Sequence, residues 1–165
     1  MLKVEKLKKY FPIRGGILSK QIASVRAVDD VSFDVREGET FGLVGESGCG
    51  KTTLGRCILR LIEPTEGRIF FEGKDLLSLS PRELRVLRKN MAMIFQDPLS
   101  SLNPRMTVSD IIGKPLNIHN IVKGKEKTQK VIELMKLVGL SSEHLYRYPH
   151  EFSGGMKQRA MIAIG

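Results

Sequence analysis

Gly45-Glu46-Ser47-Gly48-Cys49-Gly50-Lys51-Thr52 sets a lysine and a hydroxyl directly behind a glycine-rich run. The spacing is G-x-x-x-x-G-K-[ST], which suits gripping a chain of phosphates. Glycines let backbone N–H groups turn inward and approach an anion closely. Lys51 would reach the β- and γ-phosphates, Thr52 would offer its hydroxyl to Mg²⁺, and Thr53 would add a hydrogen bond to the α-phosphate. Glu46, Ser47 and Cys49 belong to the same predicted nucleotide-binding run.

A second constellation is Phe152-Ser153-Gly154-Gly155-Met156-Lys157-Gln158-Arg159. A Ser-Gly-Gly start to a helix offers free N–H groups, a hydroxyl and the positive end of the helix dipole, again a setting for an anion. His119, His144 and His150 lack the carboxylate or cysteine spacing of catalytic or metal sites and read as surface or packing residues. No cluster has metal-ligand spacing.

These residues need elements to hold them. Thr40-Phe41-Gly42-Leu43-Val44 reads as a strand feeding the glycine loop. Leu54, Cys57, Ile58, Leu61 and Ile62 form a helical stripe leaving it. That helix is expected to stop near Glu63, because Pro64 disfavours helix at the residue before it. Residues 2–10 read as a strand, 11–24 as a loop, 31–35 and 68–72 as further strands. Ser80-Pro81-Arg82-Glu83 is a capping box opening a helix to about Lys89. Met91–Phe95 has strand length, 108–139 reads as helical with Gly139 as its C-cap, and Ser153 caps a final helix.

The chain has 165 residues, 41% of them hydrophobic, and a net charge of +9. That length supports one domain with a real core. No apolar run approaches the ~20 residues of a membrane span, and the start lacks a signal-peptide core. A cytoplasmic location is therefore the expectation. Cys49 and Cys57 do not make a disulfide framework. The basic balance favours anionic partners without choosing among them, and the basic runs lack the interleaved aromatics of a single-strand binding platform. No nucleic-acid partner is expected.

Taken together, the two constellations resemble the ABC-ATPases, whose signature is usually Leu-Ser-Gly-Gly-Gln. Here Phe152 and Met156 replace the outer residues. Gln96, after the Met91–Phe95 run, resembles the Q-loop glutamine, and Tyr10 occupies the place of the adenine-stacking aromatic. Gln96-Asp97-Pro98-Leu99-Ser100-Ser101-Leu102-Asn103-Pro104 and Tyr148-Pro149-His150-Glu151-Phe152-Ser153-Gly154-Gly155-Met156 look like the ATP-binding subunits of dipeptide and oligopeptide importers.

The resemblance implies an α/β P-loop NTPase core with an N-terminal antiparallel β subdomain and a helical subdomain. It divides the chain into a nucleotide-binding part (1–95), a Q-loop and helical part (96–153) and the start of the post-signature helix (154–165). It implies ATP and Mg²⁺ as cofactors, with Lys51 and Gln96 in catalysis and Thr52 and Gln96 at the metal. Ser153, Gly154 and Gly155 would address the ATP of a second ATP-binding subunit. Transmembrane permease subunits would be the other partners, with the protein peripheral on the inner face of the membrane. ATP hydrolysis would then drive peptide uptake.

The family's strand ending in Asp-Glu, its D-loop and its switch histidine are not found, so the fold is expected to be incomplete at the C-terminus. The chain is expected to be a fragment, binding ATP–Mg weakly and hydrolysing it near background. Asp97 is rejected as a substitute acid, since it follows Gln96 in the Q-loop position. Three rival readings are a soluble ABC-type ATPase of DNA repair or translation, a non-catalytic nucleotide-binding module, and an unrelated P-loop kinase or GTPase, which leaves Ser153-Gly154-Gly155 unexplained.

Overall fold

A computed structural model describes residues 2–15, 20–95 and 102–164. The chain divides into two compact units, Met1–Arg85 and Val86–Gly165.

In the first unit, β1 (Leu2–Gly15), β2 (Lys20–Val35), β3 (Glu66–Phe71) and β4 (Lys74–Asp75) form an antiparallel sheet in the order β2-β1-β3-β4. Val4 and Leu7 are both buried although three residues apart, which strict alternation forbids. A bulge resolves this. The register runs Val4↔Phe33 and then Leu7↔Val31, Lys6 takes φ 45°, and its N–H donates to Ser32 Oγ at 2.7 Å. Across from the bulge on β3, Gly67 has φ 100°, and a Cβ there would sit 2.6 Å from Leu7 Cα. Only glycine fits.

The strands extend into the segment expected to be a loop. β1 continues through Pro12, paired with Ser24. Tyr10 N–H already points away from β2, donating to Thr65 Oγ1 at 2.9 Å, and Pro12 lies two residues on. Its missing N–H therefore removes no bond from the ladder.

Helix α1 (Lys51–Ile58) ends before Pro64 can act on it. Arg60 takes φ 49°, its N–H reaches Cys57 O, and Leu61 N–H reaches Arg56 O. This is a Schellman stop with arginine where glycine is usual. The Arg60 guanidinium offsets the strain by donating to Leu76 O at 2.9 Å, Leu79 O at 2.7 Å and Glu63 Oε1 at 2.8 Å. Helix α2 (Pro81–Leu87) opens on the expected box, with Ser80 N–H to Glu83 Oε2 at 2.9 Å and Glu83 N–H to Ser80 Oγ at 3.4 Å.

Neither Thr40–Val44 nor Met91–Phe95 forms a strand. A strand is defined by its ladder, and among the described residues neither run has a ladder partner. Val44 is 94% exposed, whereas Phe41 stacks on Phe33 at 4.8 Å.

The second unit is helical. The stretch 108–139 is two helices, α3 (Val108–Ile118) and α4 (Gly124–Leu137). Asn120 makes the break: it takes φ 51°, its N–H reaches Asn117 O, and Ile121 N–H reaches Leu116 O. Asparagine tolerates that left-handed turn. Gly139 closes α4 in the same way, with φ 71° and Leu140 N–H to Met135 O. Thr107 caps α3 by accepting from Asp110 N–H at 3.2 Å. Helix α5 is Gly154–Ile162. Val108, Ile112, Val131, Met135, Phe152 and Ala160 belong to one buried cluster.

Met135 is fully buried in that cluster. Met135→Ala should cost about 2–5 kcal/mol, seen as a marked fall in melting temperature. A fall of a degree or less would mean that the cluster is not the unit's core.

Candidate phosphate-binding site

The glycine loop is open to solvent from Gly45 to Cys49. Cys49 N–H reaches back to Glu46 O at 3.3 Å, closing a tight turn. Gly48 and Gly50 take φ 83° and 98°, both left-handed and suited to glycine. The Lys51 ammonium folds over the loop. It donates to Gly45 O and Glu46 O, each at 2.7 Å, and lies 3.4 Å from Cys49 Sγ. One cation thus organises the mouth of the turn.

Gly50 is the N-cap of α1 and gives it no side-chain cap. Opening N–H groups of a helix have no acceptor within it, and a glycine cap supplies no side-chain oxygen to replace one. No acidic residue sits in that turn either. The result is a set of N–H donors at a positive dipole end beside the Lys51 ammonium, a combination made for an anion. Thr52 is exposed at the second helical position and Thr53 partly so. Leu54 and Cys57 are buried and hold the helix to its unit. Burial pushes the Cys57 thiol up from its ordinary value.

The loop is also shaped from β2. A Cβ on Gly50 would lie 2.0 Å from Ala27 O. The register passes from Lys9↔Val28 to Tyr10↔Arg26, so Ala27 is the extra residue of a bulge. Sequence reasoning missed this contact, because residues 25–30 were assigned to no element.

Tyr10 lies on the next rung. Its hydroxyl donates to Asp29 Oδ1, and the Arg26 guanidinium lies over its ring at 5.5 Å from the centroid. That hydrogen bond holds the Asp29 carboxyl below the usual carboxylate range, helped by Arg26, and pushes the Tyr10 phenol up. Arg26 and Asp29 escaped the sequence reading. The cross-strand Tyr10–Arg26 pairing would have found one, and the i,i+3 charge spacing the other.

Gln96, expected at the metal and in catalysis, lies outside the described residues. Ser153, Gly154 and Gly155 lie in the second unit. Ser153 is the N-cap of α5, its Oγ accepting from Met156 N–H at 3.3 Å. That leaves the opening N–H groups of Gly154 and Gly155 for another acceptor. Phe152 is buried just before the cap. His144 meets it edge-on at 5.7 Å, and His150 stacks on Tyr148 at 5.6 Å. Among the described residues no group of histidines, cysteines and carboxylates could hold a metal ion. No described helix is long and apolar enough to cross a membrane.

A glycine loop closed by a lysine at a helix start, together with the fold around it, defines an ATP-binding cassette. Residues 28–165 match the ABC transporter family, and the chain belongs to it. Among curated relatives it is 52% identical over 164 residues to the oligopeptide transport ATP-binding protein AppF of Bacillus subtilis (strain 168), covering 99% of this chain and 50% of that protein. It is 49% identical over 163 residues to the glutathione import ATP-binding protein GsiA of Escherichia coli (strain K12), covering 26% of that protein. The chain thus spans half the length of one relative and about a quarter of the other. Its fold matches the ATP-binding cassette MJ0796, solved as a dimer in a post-hydrolysis state bound to ADP and Pi, with a TM-score of 0.84 and 26% identity. That match covers 99% of this chain and 68% of the other.

Proposed function

We propose that the chain is the nucleotide-binding portion of an ATP-binding subunit whose whole protein couples ATP hydrolysis to peptide uptake. The observation that carries this is the uncapped start of α1 beneath the Lys51 ammonium. The donor set fits a nucleoside triphosphate: backbone N–H groups, one cation and the exposed Thr52 hydroxyl. Lys51 would neutralise phosphate charge, Thr52 would hold Mg²⁺, and Gln96 would sit at the metal or the attacking water. Mg²⁺ when bound supplies charge neutralisation on the phosphates. Tyr10 would offer the adenine a ring face.

Ser153, Gly154 and Gly155 would address the nucleotide of a second ATP-binding subunit, as the dimeric neighbour suggests. The names of the relatives support peptide or glutathione import, and so a permease partner and a place on the inner face of the membrane. The residues present hold no Asp-Glu pair at the end of an apolar strand. The 165-residue polypeptide is accordingly expected to bind ATP–Mg weakly and to hydrolyse it near background.

Two replacements of Ser153 in the full-length protein test the signature role. Ser153→Ala removes a helix cap, costing about 1 kcal/mol of stability. Ser153→Asp keeps a strong cap but sets a carboxylate where a phosphate is due. ATP turnover should fall at least tenfold in both, with Ser153→Asp melting like the wild type and ATP affinity of the isolated subunit unchanged. An active Ser153→Asp would reduce Ser153 to a cap.

A further inference from the structure

The Tyr10 ring stands where the sheet gives it little backing. β3 pairs with β1 no further than Lys8. Past that point β1 and β2 continue alone as a two-stranded ribbon, to Gly15 and from Lys20. Such a ribbon is marginally stable in water, and a side chain on it changes rotamer unless something ties it.

Two residues of β2 tie this one. Directly paired residues share a face, so Arg26 lies beside Tyr10. Asp29 is three residues further along, and in an unbroken strand residues three apart point to opposite faces. The extra residue, Ala27, resets the alternation. Arg26 and Asp29 therefore both reach Tyr10. The guanidinium lies over the ring at 5.5 Å from its centroid, and the phenol donates to Asp29 Oδ1. Arg26 also donates to Asp29 Oδ2 at 3.3 Å, which closes the triangle. The Asp29 carboxyl is held below its usual range, chiefly by the phenol, so at neutral pH it stays an acceptor. The same bulge sets Ala27 O against Gly50. One irregularity of β2 thus fixes both the turn that grips phosphate and the ring on the next rung.

We infer that Asp29 is a positioning residue for the nucleotide base: by holding the Tyr10 hydroxyl it keeps the ring in the orientation on which a base stacks, and Arg26 covers one ring face so that the base takes the other. The inference rests on the reading of the chain as nucleotide-binding with Tyr10 under the adenine, and adds to it the group that sets the ring. A ring already oriented spares the nucleotide the cost of immobilising it. Stacking acts on the base and not on the phosphates, so the effect must vanish for a ligand that has no base.

The test is calorimetric titration of the full-length protein with ATP–Mg²⁺ and, separately, with inorganic tripolyphosphate–Mg²⁺, which carries the phosphate chain alone. Tyr10→Ala should weaken ATP binding roughly five- to 150-fold, the loss of one base–aromatic stack. Asp29→Ala should weaken it roughly two- to twelvefold, the cost of ordering an untethered side chain. Tyr10→Phe keeps the ring, drops the hydroxyl and should lose the same factor. Tyr10→Phe combined with Asp29→Ala should lose no more than either alone, because both remove one bond. Asp29→Asn keeps an acceptor oxygen and should bind ATP more tightly than Asp29→Ala. Tripolyphosphate affinity should match the wild type in every variant. Additive losses, an Asp29→Ala variant that binds ATP like the wild type, or equal losses for ATP and tripolyphosphate would each overturn the inference, the last by placing Asp29 in the shape of the phosphate loop. Wild-type protein that binds neither ligand would instead overturn the nucleotide reading itself, and the inference with it.

Discussion

Lys51→Ala should weaken ATP binding by roughly two to four orders of magnitude while leaving the fold intact. Hydrogen bonds to charged groups contribute about 1.5–3 kcal/mol each. Two phosphate contacts give about 3–6 kcal/mol, and each ~1.4 kcal/mol is tenfold in affinity. The folded state loses little. The carbonyls of Gly45 and Glu46, which now accept from the ammonium at 2.7 Å, lie in an exposed loop and can take water instead. The change in stability should stay within about 0.5 kcal/mol, as for surface sites generally. Lys51→Arg should be weakened as well, because a planar fork does not replace a compact ammonium against a tight turn. Calorimetric titration with ATP–Mg²⁺ is the measurement. Affinity unchanged in Lys51→Ala would detach the loop from nucleotide binding altogether.

The loop was legible in the sequence because its chemistry is local. Positive-φ glycines, one lysine and a helix start lie within nine consecutive residues, Gly45–Thr53. Ser80 and Ser153 were legible for the same reason, since a capping hydroxyl and the N–H that donates to it lie three residues apart. What escaped depends on distant partners. Thr40–Val44 and Met91–Phe95 have strand composition, but composition supplies no ladder. The long ribbon was hidden by Pro12 and Gly15, which read as loop residues; the direction of the Tyr10 N–H shows why Pro12 fits the strand. The breaks at Arg60 and Asn120 were missed because neither is the glycine that usually marks a left-handed stop. Arg60 holds that conformation through carbonyls of Leu76 and Leu79, more than a dozen residues away.

Gly50→Ala should be among the most damaging single methyl groups in the first unit. An L-residue in the left-handed region costs about 1–2 kcal/mol, and Gly50 has φ 98°. The new Cβ would also meet Ala27 O at 2.0 Å, and a backbone oxygen in a sheet cannot swing aside as a side chain can. Either the bulge at Ala27 shifts or the loop leaves its conformation. Gly48→Ala separates the two effects, since Gly48 has φ 83° with nothing within 4 Å of a new Cβ. It should carry the strain alone, lowering the melting temperature by roughly 4–16 °C at about 4–8 °C per kcal/mol for a unit of this size. Gly50→Ala should lower it at least twice as far and abolish ATP binding with Lys51 still present. Equal melting of the two variants would mean that β2 does not shape the loop. A lower melting temperature with intact ATP affinity would place the Ala27 contact in folding alone. Loss of both ties the phosphate grip to a bulge twenty-three residues upstream, at a position no loop motif includes.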